Sequence, residues 1–187
     1  IGPGLGTLTQ KLLEKAGKVI CVELDEKMVK ILTHRFKLYT NFELINEDIL
    51  KVNLTEIIEK NKKQGIEKVK VVANLPYYIT TPIIMKLLED KLDIESITVM
   101  IQKEVAQRLA ETPGGKETGS ITYTIWYYTQ PKIVLEVPPD SFIPEPEVHS
   151  SVIKFDILDK PRIEVEDESK FFKLIKIAFM QKRKTLV

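Results

Sequence analysis

Apolar residues along this chain fall into short unbroken runs, separated by stretches in which they recur every three or four positions. Val19 to Leu24, Phe42 to Ile45, Val69 to Ala73 and Ile97 to Ile101 have the length and continuity of buried strands. Leu8 to Ala16, Asp25 to Phe36 and Glu104 to Ala110 have helical spacing, and Asp25 is a predicted N-cap. Thr81 followed by Pro82 reads as the N-cap and first position of a helix reaching about Glu89. Thr112 to Gly119 has the composition of an exposed loop, and Ile121 to Tyr128 is a predicted helix despite its β-branched and aromatic content. Ile133 to Val137 and Val148 to Ile157 are the last predicted strands, parted by the proline-rich segment Pro138 to Pro146. Unbroken apolar strands alternating with helices predict an α/β fold: an open, mainly parallel sheet with helices on both faces. The two late strands have no helix between them, so one of them is expected to run antiparallel.

Composition narrows the class. A chain of 187 residues that is 43% hydrophobic can bury the core of one α/β domain. No apolar run is long enough to span a bilayer and no signal peptide is legible, so no membrane partner is expected. The single cysteine, Cys21, lies inside an apolar run and reads as a small buried hydrophobe of a cytoplasmic protein. His34 and His149 without a cysteine cluster make no zinc site, and no metal is expected. The net charge of +1 is uninformative, but its distribution is not. Glu136 to Glu168 is acidic, whereas Lys170, Lys173, Lys176, Lys182, Arg183 and Lys184 close the chain without an acid. That basic end suits phosphate contacts and equally suits a solvated helix face. At the other end the chain opens on Ile1-Gly2-Pro3-Gly4, with almost no strand to feed the glycine turn. The expectation is a piece of a longer protein.

Three features at successive strand ends suggest a nucleoside site. Gly2, Gly4 and Gly6 lead into a helix, where glycine lets the backbone turn tightly and approach a ligand. The spacing is G-x-G-x-G rather than that of dinucleotide folds, and alone it is also compatible with a plain structural turn. Glu23 ends the next strand, where a carboxylate can accept both hydroxyls of a ribose; Leu24 follows it. Asn46-Glu47-Asp48-Ile49 follows the third, where a carboxylate could accept from an adenine amino group while Ile49 packs on the ring. Ligands of open α/β sheets sit at the carboxyl ends of the strands, where all three fall.

Asn74-Leu75-Pro76-Tyr77, after the strand Val69 to Ala73, is the most specific motif. An adenine N6 is a poor nucleophile because its lone pair is delocalised into the ring. The Asn74 side-chain oxygen and the Leu75 carbonyl could accept its two N–H groups and stabilise the charge that develops on attack. Tyr77 could stack on the purine, and Pro76 fixes the turn.

These segments resemble successive motifs of the ribosomal RNA adenine-N6,N6-dimethyltransferase family. So do Gln102 to Arg108, Val137-Pro138-Pro139, Phe142 to Ser150 and Gln181 to Leu186, and the resemblance covers nearly the whole chain. It implies a Rossmann-like class I S-adenosylmethionine-dependent methyltransferase domain over 1–158. Residues 159–187 would then be a linker and the first helix of a C-terminal helical domain. By resemblance, Gly2, Gly4, Glu23, Leu24, Asp48, Ile49 and Asn74 would hold S-adenosylmethionine and its product S-adenosylhomocysteine. Asn74, Leu75, Pro76 and Tyr77 would do the chemistry, with Phe142 on the other face of the target adenine. The product would be two adjacent adenosines, each dimethylated on N6, near the 3′ end of small-subunit rRNA in a pre-ribosomal particle. No obligate protein partner is implied. Arg108, Lys182, Arg183 and Lys184, with Lys103, are the candidate RNA contacts. The family's element that precedes the first strand and closes over the site has no counterpart here, nor does most of its C-terminal domain. His149 stands where an acid is more usual and receives no role.

Three rivals remain. Macrolide-resistance methylases perform the same chemistry on large-subunit rRNA; Leu75 and the run Pro144 to Val148 favour the small-subunit branch. A non-catalytic RNA-binding relative, like the mitochondrial transcription factors, would not need an intact Asn74 to Tyr77. An NAD-dependent oxidoreductase is disfavoured by the glycine spacing.

Overall fold

The structure, a computed structural model, describes residues 1–180. Four helices and four strands alternate through the first half of the chain: α1 (Thr7–Leu13), β1 (Val19–Glu23), α2 (Glu26–Arg35), β2 (Phe42–Asn46), α3 (Leu54–Lys62), β3 (Lys70–Asn74), α4 (Thr80–Glu89) and β4 (Ser96–Gln102). The second half runs α5 (Lys103–Ala110), α6 (Ser120–Tyr128), β5 (Thr129–Val137), β6 (Ser150–Ile157) and α7 (Glu168–Met180). β1 pairs with β2 in parallel, and β3 with β4. β6 lies antiparallel between β4 and β5, the reversal expected of two strands joined without a helix. The ladder falls into two pieces, β2-β1 and β3-β4-β6-β5. Ile1 and Gly2 lie between them: the Ile1 nitrogen donates to Val72 of β3, and the Gly2 N–H to Val22 of β1.

Local chemistry explains the element ends. The Asp25 carboxylate accepts from the Lys27 N–H at 2.7 Å and caps α2, whose last turn carries Arg35, a cation suited to the negative end of the helix dipole. Asn53 caps α3 in the same manner through the Glu56 N–H, and its own amide reaches the Glu56 carboxylate. That helix had not been expected, although Asn-x-x-Glu is its start signal. The helix expected to have Thr81 as its N-cap and Pro82 as its first residue begins two residues earlier, at Thr80. A short 3-10 turn (Tyr77–Ile79) feeds it, and the Thr80 hydroxyl donates back to the Pro76 carbonyl at 3.2 Å. Pro82 then sits in the first turn, where its missing N–H costs nothing.

The main core joins β3, β4 and β6 to α4, α5 and α6, with Ile84, Ile97, Val99, Ile101, Leu109 and Ile153 fully buried. Each such aliphatic side chain contributes about 1.5–3 kcal/mol. A second core of Leu13, Val19, Cys21, Leu32 and Phe36 fastens α1 and α2 to β1. Burial pushes the Cys21 thiol up, against a weaker opposing contact with the Thr9 hydroxyl, as suits a structural cysteine.

α7 is held at the amino-terminal ends of the strands. Glu168, its first residue, accepts from the hydroxyls of Tyr127 (3.2 Å) and Tyr128 (3.0 Å) and pairs with Lys91. Phe171 and Phe172 pack on the same two tyrosines, and Phe179 on Tyr123. The Lys91 ammonium holds the Glu168 carboxyl below its ordinary value, while burial and then Glu168 push Tyr127 and Tyr128 up. A cavity of about 720 Å3 opens at this end, lined by Lys62, Val69, Lys91, Glu95, Tyr128 and Glu168 among others.

Candidate active site

The residues singled out by chemistry gather at the opposite edge. Register places Glu23 beside Asn46, Asn74 beside Met100, and Gln102 beside Ser150. Because β6 is antiparallel, its first residue lies level with the last residues of β3 and β4. The segment carrying Phe142 leaves β5 at Val137 and re-enters at Ser150, directly opposite Val137 in the ladder. Phe142 therefore belongs to a loop rooted at the same edge as Asn74.

The glycine turn divides its labour. Gly2 and Gly4 have φ of 57° and 55°, and a Cβ on either would meet nothing within 4 Å. Their backbone faces open space in a conformation that L side chains avoid. Gly6 (φ 82°) serves packing instead: a Cβ there would stand 2.6 Å from the Phe36 ring. Arg35 braces the turn with a two-pronged grip, one guanidinium nitrogen donating to the Leu5 carbonyl at 2.6 Å and the other to the Gln10 side chain at 2.7 Å.

Across the turn, the Glu23 carboxylate accepts from the Gly4 N–H at 3.4 Å and from the Asp25 N–H at 3.0 Å. It thereby ties the glycine turn to the end of β1. The Asn46 amide donates to the carbonyls of Glu23 (2.9 Å) and Leu24 (3.3 Å), fixing the chain as it leaves β1. Leu24 itself is 66% exposed. Asp48 accepts from the Leu50 N–H at 2.9 Å and so shapes its own turn, while Ile49 is buried in the main core and can offer a ring only its edge.

At the end of β3 the Asn74 side chain is exposed. Leu75 buries its side chain (2% exposed) and donates its N–H to Met100, so what it offers a ligand is its carbonyl. The Pro76 carbonyl accepts from the Ile79 N–H and the Thr80 hydroxyl, which winds the turn and brings Tyr77 over the edge. Tyr77 is 40% exposed, and its hydroxyl shares a 3.0 Å hydrogen bond with that of Ser150.

The RNA candidates fare unequally. Lys103 is paired with Glu136 at 2.8 Å, and the Arg108 Nε is buried with no partner among the described residues. Lys182, Arg183 and Lys184 lie outside the described residues. Arg35 and Ser150 were not anticipated as site residues, and Asn46 was expected only as part of its motif, with no role of its own. Arg35 and Ser150 act through contacts 30 and 73 positions away, for which local pattern carries no signal.

Glycine turn, acid at the next strand end, and an Asn-x-Pro-Tyr corner on one edge of such a sheet define a class I S-adenosylmethionine-dependent methyltransferase fold. The model of the family described as ribosomal RNA adenine dimethylase matches residues 1–187, and the chain belongs to that family. It is 52% identical over 187 residues to a ribosomal RNA small subunit methyltransferase A of Alkaliphilus oremlandii, covering all of this chain and 64% of that protein. Among solved structures, a dimethyladenosine transferase from Plasmodium falciparum superposes with a TM-score of 0.74 at 31% identity, over 99% of this chain and 63% of the other. The 23S rRNA methyltransferase ErmE gives 0.78 at 25% identity, over 98% and 70%. The chain thus spans about two thirds of the length of the curated relative it matches. Among the described residues, no helix is long and apolar enough to cross a membrane.

Proposed function

We propose that the protein to which this chain belongs is a cytoplasmic rRNA adenine-N6 dimethyltransferase, acting on two adjacent adenosines near the 3′ end of small-subunit rRNA in an assembling particle. The observation that carries the reading is the corner at the end of β3. There an exposed Asn74 amide and the Leu75 carbonyl stand beside a Tyr77 ring at a strand edge. The glycine turn fits the cofactor on independent grounds, since open space lies in front of the Cα atoms of Gly2 and Gly4 and the Glu23 carboxylate stands beside them, on the Gly4 N–H. Gly2 and Gly4 would lie against the cofactor and Glu23 would accept its ribose hydroxyls. Asp48 would face its adenine. S-adenosylmethionine, when bound, supplies an electrophilic methyl group.

The chain's own residues do the rest. The Asn74 oxygen and the Leu75 carbonyl accept the two N–H groups of the target amine, which localises the nitrogen lone pair and stabilises the positive charge that develops. Tyr77 stacks on one face of the extruded base and Phe142 on the other, holding the amine in line. After one transfer the amine keeps a single N–H, so the corner must grip a monomethyl amine with one acceptor. Both solved relatives named above share the fold, so fold alone does not choose the RNA; the 52% identity to a small-subunit enzyme favours that branch. The test offers labelled cofactor to the protein expressed from its complete reading frame, with unmethylated small subunits and with large-subunit RNA. Label in N6,N6-dimethyladenosine of the small subunit is expected. Label only in large-subunit RNA, or none, would refute the assignment.

A further inference from the structure

Tyr77 stands on a single 3-10 turn, outside both helix and sheet, and its neighbour Tyr78 is 86% exposed. The Tyr77 ring is 40% exposed, and its hydroxyl makes one side-chain hydrogen bond among the described residues. The contact that leaves the turn is the bond to Ser150, and Ser150 is a rigid post. It is 1% exposed and stands in the central antiparallel strand, opposite Gln102 on one side and Val137 on the other. The preceding residue is fixed as well, since the His149 carbonyl accepts from the Lys103 N–H at 2.9 Å. Ser150 also ends the segment that carries Phe142. One hydroxyl therefore ties the turn bearing one aromatic to the root of the loop bearing the other.

We infer that Ser150 is a positioning residue for the target base: its hydroxyl fixes the Tyr77 ring, and so sets the stacking platform against which the amine is presented. This rests on the function proposed above. Ser150 touches no reacting atom and acts only through Tyr77. Losing one such neutral hydrogen bond is worth about three- to tenfold in turnover. The loss falls on kcat for RNA and leaves the KM for S-adenosylmethionine unchanged, because the glycine turn and Glu23 are untouched.

The experiment is a double-mutant cycle in the protein expressed from its complete reading frame, with Ser150→Ala, Tyr77→Phe and the double variant. Tyr77→Phe keeps the stacking ring and deletes the same bond from its exposed side, so it carries the test even if Ser150→Ala folds poorly. Each single variant should lower kcat by a similar factor, and the double variant should be no slower than the slower single. Quenching of 2-aminopurine placed at the target adenosine should weaken in parallel, reporting the stack without chemistry. Full turnover in Tyr77→Phe, or effects that multiply in the double variant, would overturn the inference while leaving the enzyme assignment standing. A wild-type protein that transfers no methyl group and quenches no better than Tyr77→Ala would overturn the assignment and this inference with it.

Discussion

The two edges of the sheet are built on opposite principles. At the amino-terminal edge the groups that meet Glu168 are satisfied within the chain: two phenols and an ammonium meet one carboxylate, and aromatic rings close over them. At the carboxyl-terminal edge polar and aromatic groups are left open: Asn74 is exposed, Tyr77 is half-exposed, and open space lies in front of the Cα atoms of Gly2 and Gly4. A group satisfied internally stabilises the fold, whereas one left open is available to a ligand. The cavity of about 720 Å3 lies at the satisfied edge, so volume alone points away from the edge proposed to bind the ligand. The open edge is defined by chemistry, not by concavity.

Substitutions at the two edges should separate activity from stability. The largest effect is expected of Asn74→Ala, which should lower methyl transfer about 10²–10³-fold while the thermal midpoint barely moves, since the side chain is exposed. Next comes Gly6→Ala, which forces a Cβ into the Phe36 ring at a positive φ. It should cost about 2–4 kcal/mol in chemical denaturation and weaken cofactor binding only through the displaced turn.

At the other edge, Glu168→Gln should cost about 1–3 kcal/mol of stability and leave methyl-transfer kinetics as in the wild type. Its pH dependence has a definite sign. Lys91 lowers the folded-state pKa of Glu168 below 4.5, so the carboxylate's contribution is complete above that value and is lost as pH falls through the lowered one. The stability gap between wild type and variant, followed by denaturant unfolding across pH, should therefore be level near neutrality and close on acidification. The smallest effect is that of Arg35→Lys. It removes the two-pronged grip on Leu5 and Gln10 and should weaken S-adenosylhomocysteine binding by a few-fold in calorimetry, about 1 kcal/mol.

Much of this arrangement was legible along the chain because it is local. Strand length and continuity gave β1 to β4, the Asp25 cap fixed the start of α2, and the missing helix before β6 implied its reversal. The places of Glu23 and Asn74 at strand ends were legible because each closes an apolar run, and in a parallel sheet such positions share an edge. What escaped was non-local or concealed. α3 carries little apolar content and is announced only by its cap. The start of α4 slipped because a 3-10 turn at Tyr77 competes with the Thr81-Pro82 signal. Arg35, Asn46 and Ser150 are ordinary residues until folding brings them to the turn, to β1 and to Tyr77.

The most direct test of the two-edge account is the affinity for S-adenosylhomocysteine, measured by calorimetry on wild type, Glu23→Ala and Glu168→Gln. A carboxylate that accepts both ribose hydroxyls predicts a loss of about 10–100-fold in Glu23→Ala and none in Glu168→Gln. Unchanged affinity in Glu23→Ala, or an equal loss in both variants, would contradict the placement of the nucleoside at the open edge.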